Sequence, residues 1–568
     1  MRKKRWLLIV CTFVLSTIVV SCVKKQEIRN SKNFSESFVL RIIHVNDTHS
    51  HLNPLALTIN KQKKDNSKIL VGGYAYIADY VQKEKKQDKN ILFLHAGDAV
   101  QGTLYYTFFQ GIADITSLNL LSLDAMVLGN HEFDKGPEVL WQKFVSRANF
   151  PILCANIYFK KPNKLQNKIQ KYIIMQIGKE KVAILGLTTP DTQNISSPGN
   201  NIGFKEVKKV ASDFVQLFKK MGINKIIVLS HLGYKQDIKL AREVEDIDII
   251  VGGHSHTPLG KLEELGLPSE GPYPTLVYNH NKPVLVVTAW KWGYVLGDLK
   301  MAFDRQGVIL ENSWQKDSRI IFLLGSKTGI QGLTARQKAF FVSSQKKKKV
   351  EQNILDYSKE VEKLKKKVVG KALKSLSNIR IPRKDKRNDL APLVAKFMYL
   401  KTKYLGVDLA LQNAGGVRTS LAKGSITVAD IYEVLPFGNS LVLFELSGKE
   451  LKTALEKAVD RALQGRTGPF PYLYGAKFKF RRANPLGRRI VDLVIYRNNR
   501  WEPLKLEEKY LLVTNSFVAR GGDFYLDFKK IKAKEDLGFI DAEVFLEFVQ
   551  ERKLLRGVEE EFYPLEEL

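Results

Sequence analysis

The stretch VLGNHEFDKG, residues 127–136, begins with two aliphatic side chains and then places Asn130, His131, Glu132 and Asp134 within five positions. A buried strand has no use for so many polar donors, and a solvated loop has no need of that order. Working outward, four other apolar runs stop in the same way. FVLRIIHV (38–45) leads into Asn46, Asp47, Thr48 and His49, and ILFLHA (91–96) into Gly97 and Asp98. KIIVLS (225–230) leads into His231, and DIIVGG (248–253) into His254, Ser255 and His256.

Several of these runs are continuous and β-branched, as strands covered on both faces should be. Segments with helical spacing, such as KKVASDFVQLFKKM (208–221), lie between them. The pattern predicts a layered α/β domain. In open α/β sheets the crevice beyond the carboxyl ends of the strands is where ligands bind, and Gly97, Gly129, Gly252 and Gly253 allow sharp turns there.

Each signal alone is weak: a Gly-Asp pair is usually a turn, and a lone strand-end histidine is usually a satisfied core residue. If each of the five ends contributes its obvious donors, together they offer two Asp, one Asn and four His. Mixed oxygen and imidazole donors suit divalent zinc, manganese, cobalt, nickel or iron rather than a cysteine-rich structural site. They are too many for one tetrahedral ion. A carboxylate shared by two ions roughly 3.5–4 Å apart would use them all, and that geometry suits phosphoryl transfer.

At 568 residues the chain can hold two or three domains. Ninety basic against 59 acidic residues give a formal charge of +31, which favours anionic partners. The lysines are scattered, and zinc-finger spacing, aromatic RNA-binding boxes and basic-zipper patterns are missing, so no specific nucleic acid partner is expected. MRKKRWLLIVCTFVLSTIVVSC has the basic start, apolar stretch and small residues of a secretory signal. Its end resembles a lipobox, making residues 1–21 a signal peptide, Cys22 the lipidated residue and 22–37 a tether. The expected location is the cell envelope, outside the cytoplasm, as a membrane-anchored lipoprotein on the periplasmic face or the cell surface. Only Cys154 would then remain, so the core must stabilise the fold without a disulfide.

The first domain is expected over 38–330. Residues 331–367 lack Pro and read as a long amphipathic helix joining the domains. A smaller α/β domain follows over 368–556, and the acidic end, 557–568, reads as a solvated appendage.

The ordered motifs NDTHSHL, GDAVQGT, GNHEFDKG, SHLGY and GGHSHT resemble those of the calcineurin-like metallophosphatases. More narrowly, over roughly residues 38–550, the chain is similar to the 5′-nucleotidase family that includes bacterial UDP-sugar hydrolases. The resemblance implies a four-layer metallophosphatase sandwich joined by the helix to a smaller α/β substrate-binding domain. It implies that Asp47, His49 and His256 hold one divalent ion and that Asn130, His231 and His254 hold another, with Asp98 bridging. The ions could be Zn, Mn, Co, Fe or Mg. His131 would stabilise the transition state, oriented by Asp134, and metal-activated water would attack without a covalent enzyme intermediate. Of the other histidines, His44, His51 and His95 are expected to be structural or to support the ligands.

In the second domain LQNAGGVR (411–418), PFGN (436–439) and TNSFVARGGDFY (514–525) resemble further motifs of that family. These imply a base between Phe437 and Phe517, ribose hydroxyls on Asp523, phosphate on Arg418, and contributions from Asn413 and Asn439. Looser matches give Arg380 near the phosphate and Gly475 near the base. The expected activity is hydrolysis of nucleoside 5′-monophosphates to nucleoside and phosphate, for nucleotide salvage. Alternatives are UDP-sugars, nucleoside polyphosphates or 2′,3′-cyclic nucleotides on the same centre, or a surface lipoprotein that binds nucleotides or a host partner without turnover.

Overall fold

A computed structural model describes residues 37–60, 66–326, 330–383 and 386–567. The signal segment, Cys22 and all of the tether but Ser37 lie outside the described residues.

The first domain is built on two facing sheets. The larger runs, in spatial order, Phe341–Ser343, Arg319–Leu324, Leu296–Phe303, Phe38–Val45, Ile91–His95, Ala125–Val127, Ile152–Leu153 and Ile169–Gln170. The smaller runs Thr275–Asn279, Lys282–Thr288, Ile249–Gly252, Ile226–His231, Glu180–Thr188 and Tyr172–Ile177. Side chains of a strand alternate between its faces, and here both faces are apolar. Ile42, Leu92, Val127, Ile184, Leu229 and Val251 fill the space between the sheets. Ile43, Phe93 and Met126 face outward onto the helices Tyr74–Gln87 and Ile112–Leu118. Leu185, Val228 and Ile250 face the helices Val207–Lys220 and Tyr234–Glu243. The result is four layers, helix–sheet–sheet–helix. Each fully buried aliphatic or Phe side chain contributes roughly 1.5–3 kcal/mol, which explains why these runs carry so few polar residues.

The central strands pair in parallel: Val45 opposite His95, His95 opposite Met126, and Ser230 opposite Gly252. All five motif-bearing strands therefore end at one rim.

The unbroken helix expected over 331–367 is replaced by three elements. A short helix, Ala335–Lys338, is followed by the strand Phe341–Ser343, and only Lys348–Leu364 forms one long helix. Packing explains the break, because Phe341 pairs with Phe322 at the sheet edge and their rings lie 5.3 Å apart. The Lys348–Leu364 helix does bridge the domains: Val350 and Ile354 belong to the first domain's outer core and Val361 to the second domain's core.

The second domain centres on a five-stranded sheet of Pro471–Tyr474, Leu409–Asn413, Lys509–Asn515, Ser440–Ser447 and Lys534–Ile540. Helices Leu390–Thr402 and Asp541–Arg552 pack together through a 4.9 Å Phe397–Phe545 stack. The acidic end is no solvated appendage. Leu565–Glu567 pairs with Ala476–Phe480, and Phe562 stacks on Tyr474 at 5.2 Å. Its charges are also matched, Glu559 to Lys396 and Glu560 to Arg387. Within this segment the apolar residues decide the outcome, a signal that its net charge conceals.

Candidate metal centre and nucleoside pocket

The strand ends converge into two groups of donors whose atoms lie within 4.8 Å of one another: Asp47, His49 and His256, and Asp98, His231 and His254. The backbone is strained to achieve this. Asp47, His49, Asp98, His254 and His256 all adopt left-handed φ values between 46° and 78°, a conformation costing about 1–2 kcal/mol for an L-residue. Strain of this kind persists where the surroundings over-determine it.

Those surroundings are visible. Asn46 donates to Asp47 Oδ2 (2.6 Å) and to the Trp290 carbonyl (2.7 Å), while its Oδ1 accepts the Ala289 N–H (2.6 Å). The Trp292 N–H donates to the Asp47 carbonyl, and the Trp292 ring stacks on His51 at 4.7 Å. The loop after the Lys282–Thr288 strand therefore braces Asp47. Glu132 accepts the backbone N–H groups of Asp98, Ala99 and Gly129 at 3.1, 2.8 and 2.6 Å, tying two strand ends together. A Cβ added at Gly129 would overlap Asp98 Oδ1, so a side chain is excluded there.

The histidines are aimed by backbone carbonyls. His231 Nδ1 donates to the Ala96 carbonyl (2.7 Å), which turns Nε2 toward Asp98 Oδ2 at 3.0 Å and Asp47 Oδ1 at 4.0 Å. His49 Nδ1 faces the Val100 carbonyl (3.2 Å), leaving Nε2 2.9 Å from His256 Nε2 and 3.9 Å from Asp98 Oδ2. Asp98 thus faces both groups. Asn130 is buried, and its Oδ1 has no hydrogen-bond partner among the described residues. Burial holds His254 down to about 3 and His49 well below the ordinary histidine range, the neutral state a ligand requires. His231 is different: burial opposes its charge, yet Asp98 and Asp47 push it up to about 9. The carboxylates demand positive charge at this point. An orphaned amide oxygen, imidazole nitrogens facing one another and two buried carboxylates fit divalent cations.

His131 stands beside this cluster without joining either group. Its Nδ1 meets Asp134 Oδ2 at 2.7 Å, and Asp134 also accepts the Ser196 hydroxyl at 2.7 Å. Burial works against a charged ring, but Asp134 and Asp98 raise it to about 10, which favours its charged form. Fixed positive charge next to the cluster suits developing negative charge on a reacting oxygen.

The remaining histidines serve the scaffold. Buried His44 meets the Tyr273 hydroxyl at 2.9 Å. His95 accepts the Gly97 N–H and meets the Thr48 hydroxyl, holding the two turns that carry Asp98 and Asp47. Exposed His280 pairs with Glu245 on the surface.

In the second domain Phe437 and Phe517 are 53% and 44% exposed, unusual for large apolar rings. The Arg418 guanidinium lies 5.5 Å from the Phe437 ring centre. Asp523, at φ 48°, accepts from Asn413 Nδ2 at 2.7 Å. Asn413 is buried, and its Oδ1 accepts from Asn515 at 2.9 Å, so it positions Asp523 from beneath. Asn439 is held by Asp541, whose N–H donates to the Asn439 carbonyl at 2.9 Å. Arg380 presents its carbonyl to the Tyr472 hydroxyl at 3.2 Å. Gly475 is committed elsewhere: its carbonyl accepts the Tyr496 N–H, and its left-handed turn packs on the Asp408 carbonyl. Gly415 and Gly468 are the glycines against Asp523, where added Cβ atoms would lie 2.8 and 3.0 Å from Oδ2.

Two donor groups facing a shared aspartate at the rim of a four-layer sandwich, with an Asp134-paired histidine beside them, define a calcineurin-like phosphoesterase. Its family model matches residues 40–258, and that of the 5′-nucleotidase C-terminal domain matches 368–530. The chain belongs to the 5′-nucleotidase family, and is accordingly a metallophosphoesterase, a hydrolase of phosphoric esters. It is 34% identical to the NAD 5′-nucleotidase of Haemophilus influenzae, over 95% of this chain and 94% of that protein. It is 35% identical to a probable 5′-nucleotidase of Treponema pallidum, over 92% and 93%. Among solved structures, H. influenzae NAD nucleotidase matches with a TM-score of 0.82 at 33% identity, over 94% of this chain and 100% of that one. A 5′-nucleotidase precursor from Thermus thermophilus matches with a TM-score of 0.57 at 38% identity, over 94% and 99%.

Proposed function

We propose that this chain hydrolyses nucleoside 5′-monophosphates to nucleoside and inorganic phosphate at the crevice of the first domain, with the second domain selecting the nucleoside. The observation that carries this reading is the pairing of one shared carboxylate, Asp98, with the Asp134-held His131, in a chain whose second half exposes two aromatic rings and carries the carboxylate of Asp523.

Asp47, His49 and His256 would hold one divalent ion, and Asn130, His231 and His254 the other, with Asp98 facing both. Divalent ions there supply Lewis acidity toward phosphate oxygens and an activated water. The chain's own part is positional and electrostatic. His131, steered by Asp134 and Ser196, places a proton-bearing nitrogen where charge develops on the ester oxygens. Flat bases stack on phenylalanine with little sequence preference, which suits Phe437 and Phe517. Asp523, fixed by Asn413, accepts from ribose hydroxyls. Arg418 offers the planar fork that phosphate prefers over an ammonium.

A second reading extends the substrate beyond the monophosphate. Likeness along the whole chain to an enzyme named NAD 5′-nucleotidase supports trying pyrophosphate-linked nucleotides on the same centre. We further propose export and lipidation at Cys22. Acyl chains on Cys22 would supply the attachment, and one alone binds only marginally; among the described residues no helix is long and apolar enough to cross a membrane.

Phosphate release from AMP by the purified chain tests the function. Release should vanish with EDTA and return with Mn²⁺ or Co²⁺, and NAD, UDP-glucose and 2′,3′-cyclic AMP in parallel rank the substrates. Nucleotide binding without phosphate release in the presence of these ions would reduce the protein to a binder.

A further inference from the structure

We infer that Asp536, carried by the second domain, is the outer partner of His256 and completes one of the two metal groups from across the domain boundary; this rests on the dimetal reading above. His256 Nε2 faces the ligand cluster, 3.7 Å from Asp47 Oδ1 and 2.9 Å from His49 Nε2. Its other nitrogen, Nδ1, faces away from the cluster and lies 3.4 Å from Asp536 Oδ2. His49 and His231 find their outer partners within the first domain, in the carbonyls of Val100 and Ala96. Among the described residues no group of either domain hydrogen-bonds His256 Nδ1, and Asp536 reaches it at ion-pair distance. The nearest acceptor comes from the strand Lys534–Ile540.

Asp536 is held for this task. Ser440 Oγ donates to its Oδ2 at 2.7 Å, and the Gly538 N–H donates to its Oδ1 at 3.1 Å. The strand bulges where it passes Ser440, which changes the direction of the side chains that follow. Two residues further on, Gly538 lies so close to His131 that an added Cβ would overlap its Nε2, and the Phe539 ring meets the His131 ring edge-on at 5.7 Å. One strand of the second domain therefore touches both a ligand and His131.

A carboxylate on the outer nitrogen of a metal-ligating histidine fixes ring orientation and raises ligand basicity. Here that carboxylate arrives only when the domains are docked. The same scaffold reaches the nucleoside pocket: Ser440 follows Asn439, and the Ser440 N–H donates to Ser516 Oγ, next to Phe517. Movement of the pocket thus moves the outer partner of His256, and the Asp47–His49–His256 group tightens or loosens with domain position.

The test is calorimetric titration of the metal-stripped full-length chain with Mn²⁺, supported by the visible absorption of bound Co²⁺. Asp536→Asn is expected to weaken one of two binding steps by roughly 10–100-fold and leave the other unchanged. Ser440→Ala should weaken the same step by less, and it keeps the inference testable if the first variant misfolds. Lys135→Ala removes an interdomain ion pair with Glu547 away from His256 and is expected to bind like wild type. Two wild-type-like steps in Asp536→Asn would overturn the inference and leave the phosphohydrolase reading standing. A wild-type chain that takes up no ion would overturn both.

Discussion

Asp98 is the residue on which the site turns. It follows a buried strand at a left-handed φ, its backbone N–H is held by Glu132, and its Oδ2 faces both His49 and His231. Gly129→Ala would drive a methyl group into that carboxylate; the variant should fold but lose metal uptake, measured by elemental analysis after dialysis, and normal uptake would contradict the packing. His131→Ala should lower kcat by roughly 10²–10³-fold, the usual cost of removing one group that stabilises developing charge, with the circular dichroism spectrum unchanged. Asp114 offers a test by pH. Its carboxyl is fully buried, and burial lifts it to about 7 against a small opposing pull from Ser50. Between about pH 4 and 7 the unfolded chain releases this proton while the folded chain keeps it, so folding loses stability as pH rises, by up to about 1.4 kcal/mol per pH unit. Asp114→Asn has no such proton. Its melting temperature should gain on wild type from pH 4.5 to 7.5 and gain no more above that range; a constant difference would mean that Asp114 is ionised in the fold.

At the scale of elements, the convergence of the candidate donors was legible because each follows a run of apolar residues, and strand ends in such a sheet share one rim. His131 and Asp134 were legible for the same reason. Glu132 lies in the same motif, yet nothing in its spacing says that it accepts three backbone N–H groups. Lys291, which burial pushes down to about 8 beside the Trp292 ring, lies in none of the motifs that the sequence singles out. Asp536 was illegible altogether, because its partner is 280 positions away and on the other domain. The 331–367 segment failed differently: helical spacing is a local property, whereas the pairing of Phe341 with Phe322 is tertiary and overrides it. The pocket motif carries its own test. Phe437→Ala should raise KM for AMP about tenfold or more, since a base stack is worth roughly 1–3 kcal/mol, and should leave p-nitrophenyl phosphate nearly unaffected. Equal losses on both substrates would remove Phe437 from base recognition.

The whole molecule couples two domains through the Lys348–Leu364 helix and through the Lys534–Ile540 strand lying on the metal centre. With Gly538 against His131, a substrate phosphate can approach only if that strand withdraws, so turnover should require the domains to move. Cysteines at Lys135 and Glu547, whose side chains meet at 2.9 Å across the boundary, would accept a short bismaleimide linker. The linked chain should lose multiple turnover with AMP while the unlinked double variant keeps it, and full turnover after linking would show that the domains need not separate. Beneath all of these lies the claim that the strand ends grip a pair of ions through one shared carboxylate. Metal content of the full-length chain after exhaustive dialysis tests it most directly: about two divalent ions per wild-type chain and nearly none in Asp98→Ala are expected, whereas an Asp98→Ala chain that still retains both would contradict it.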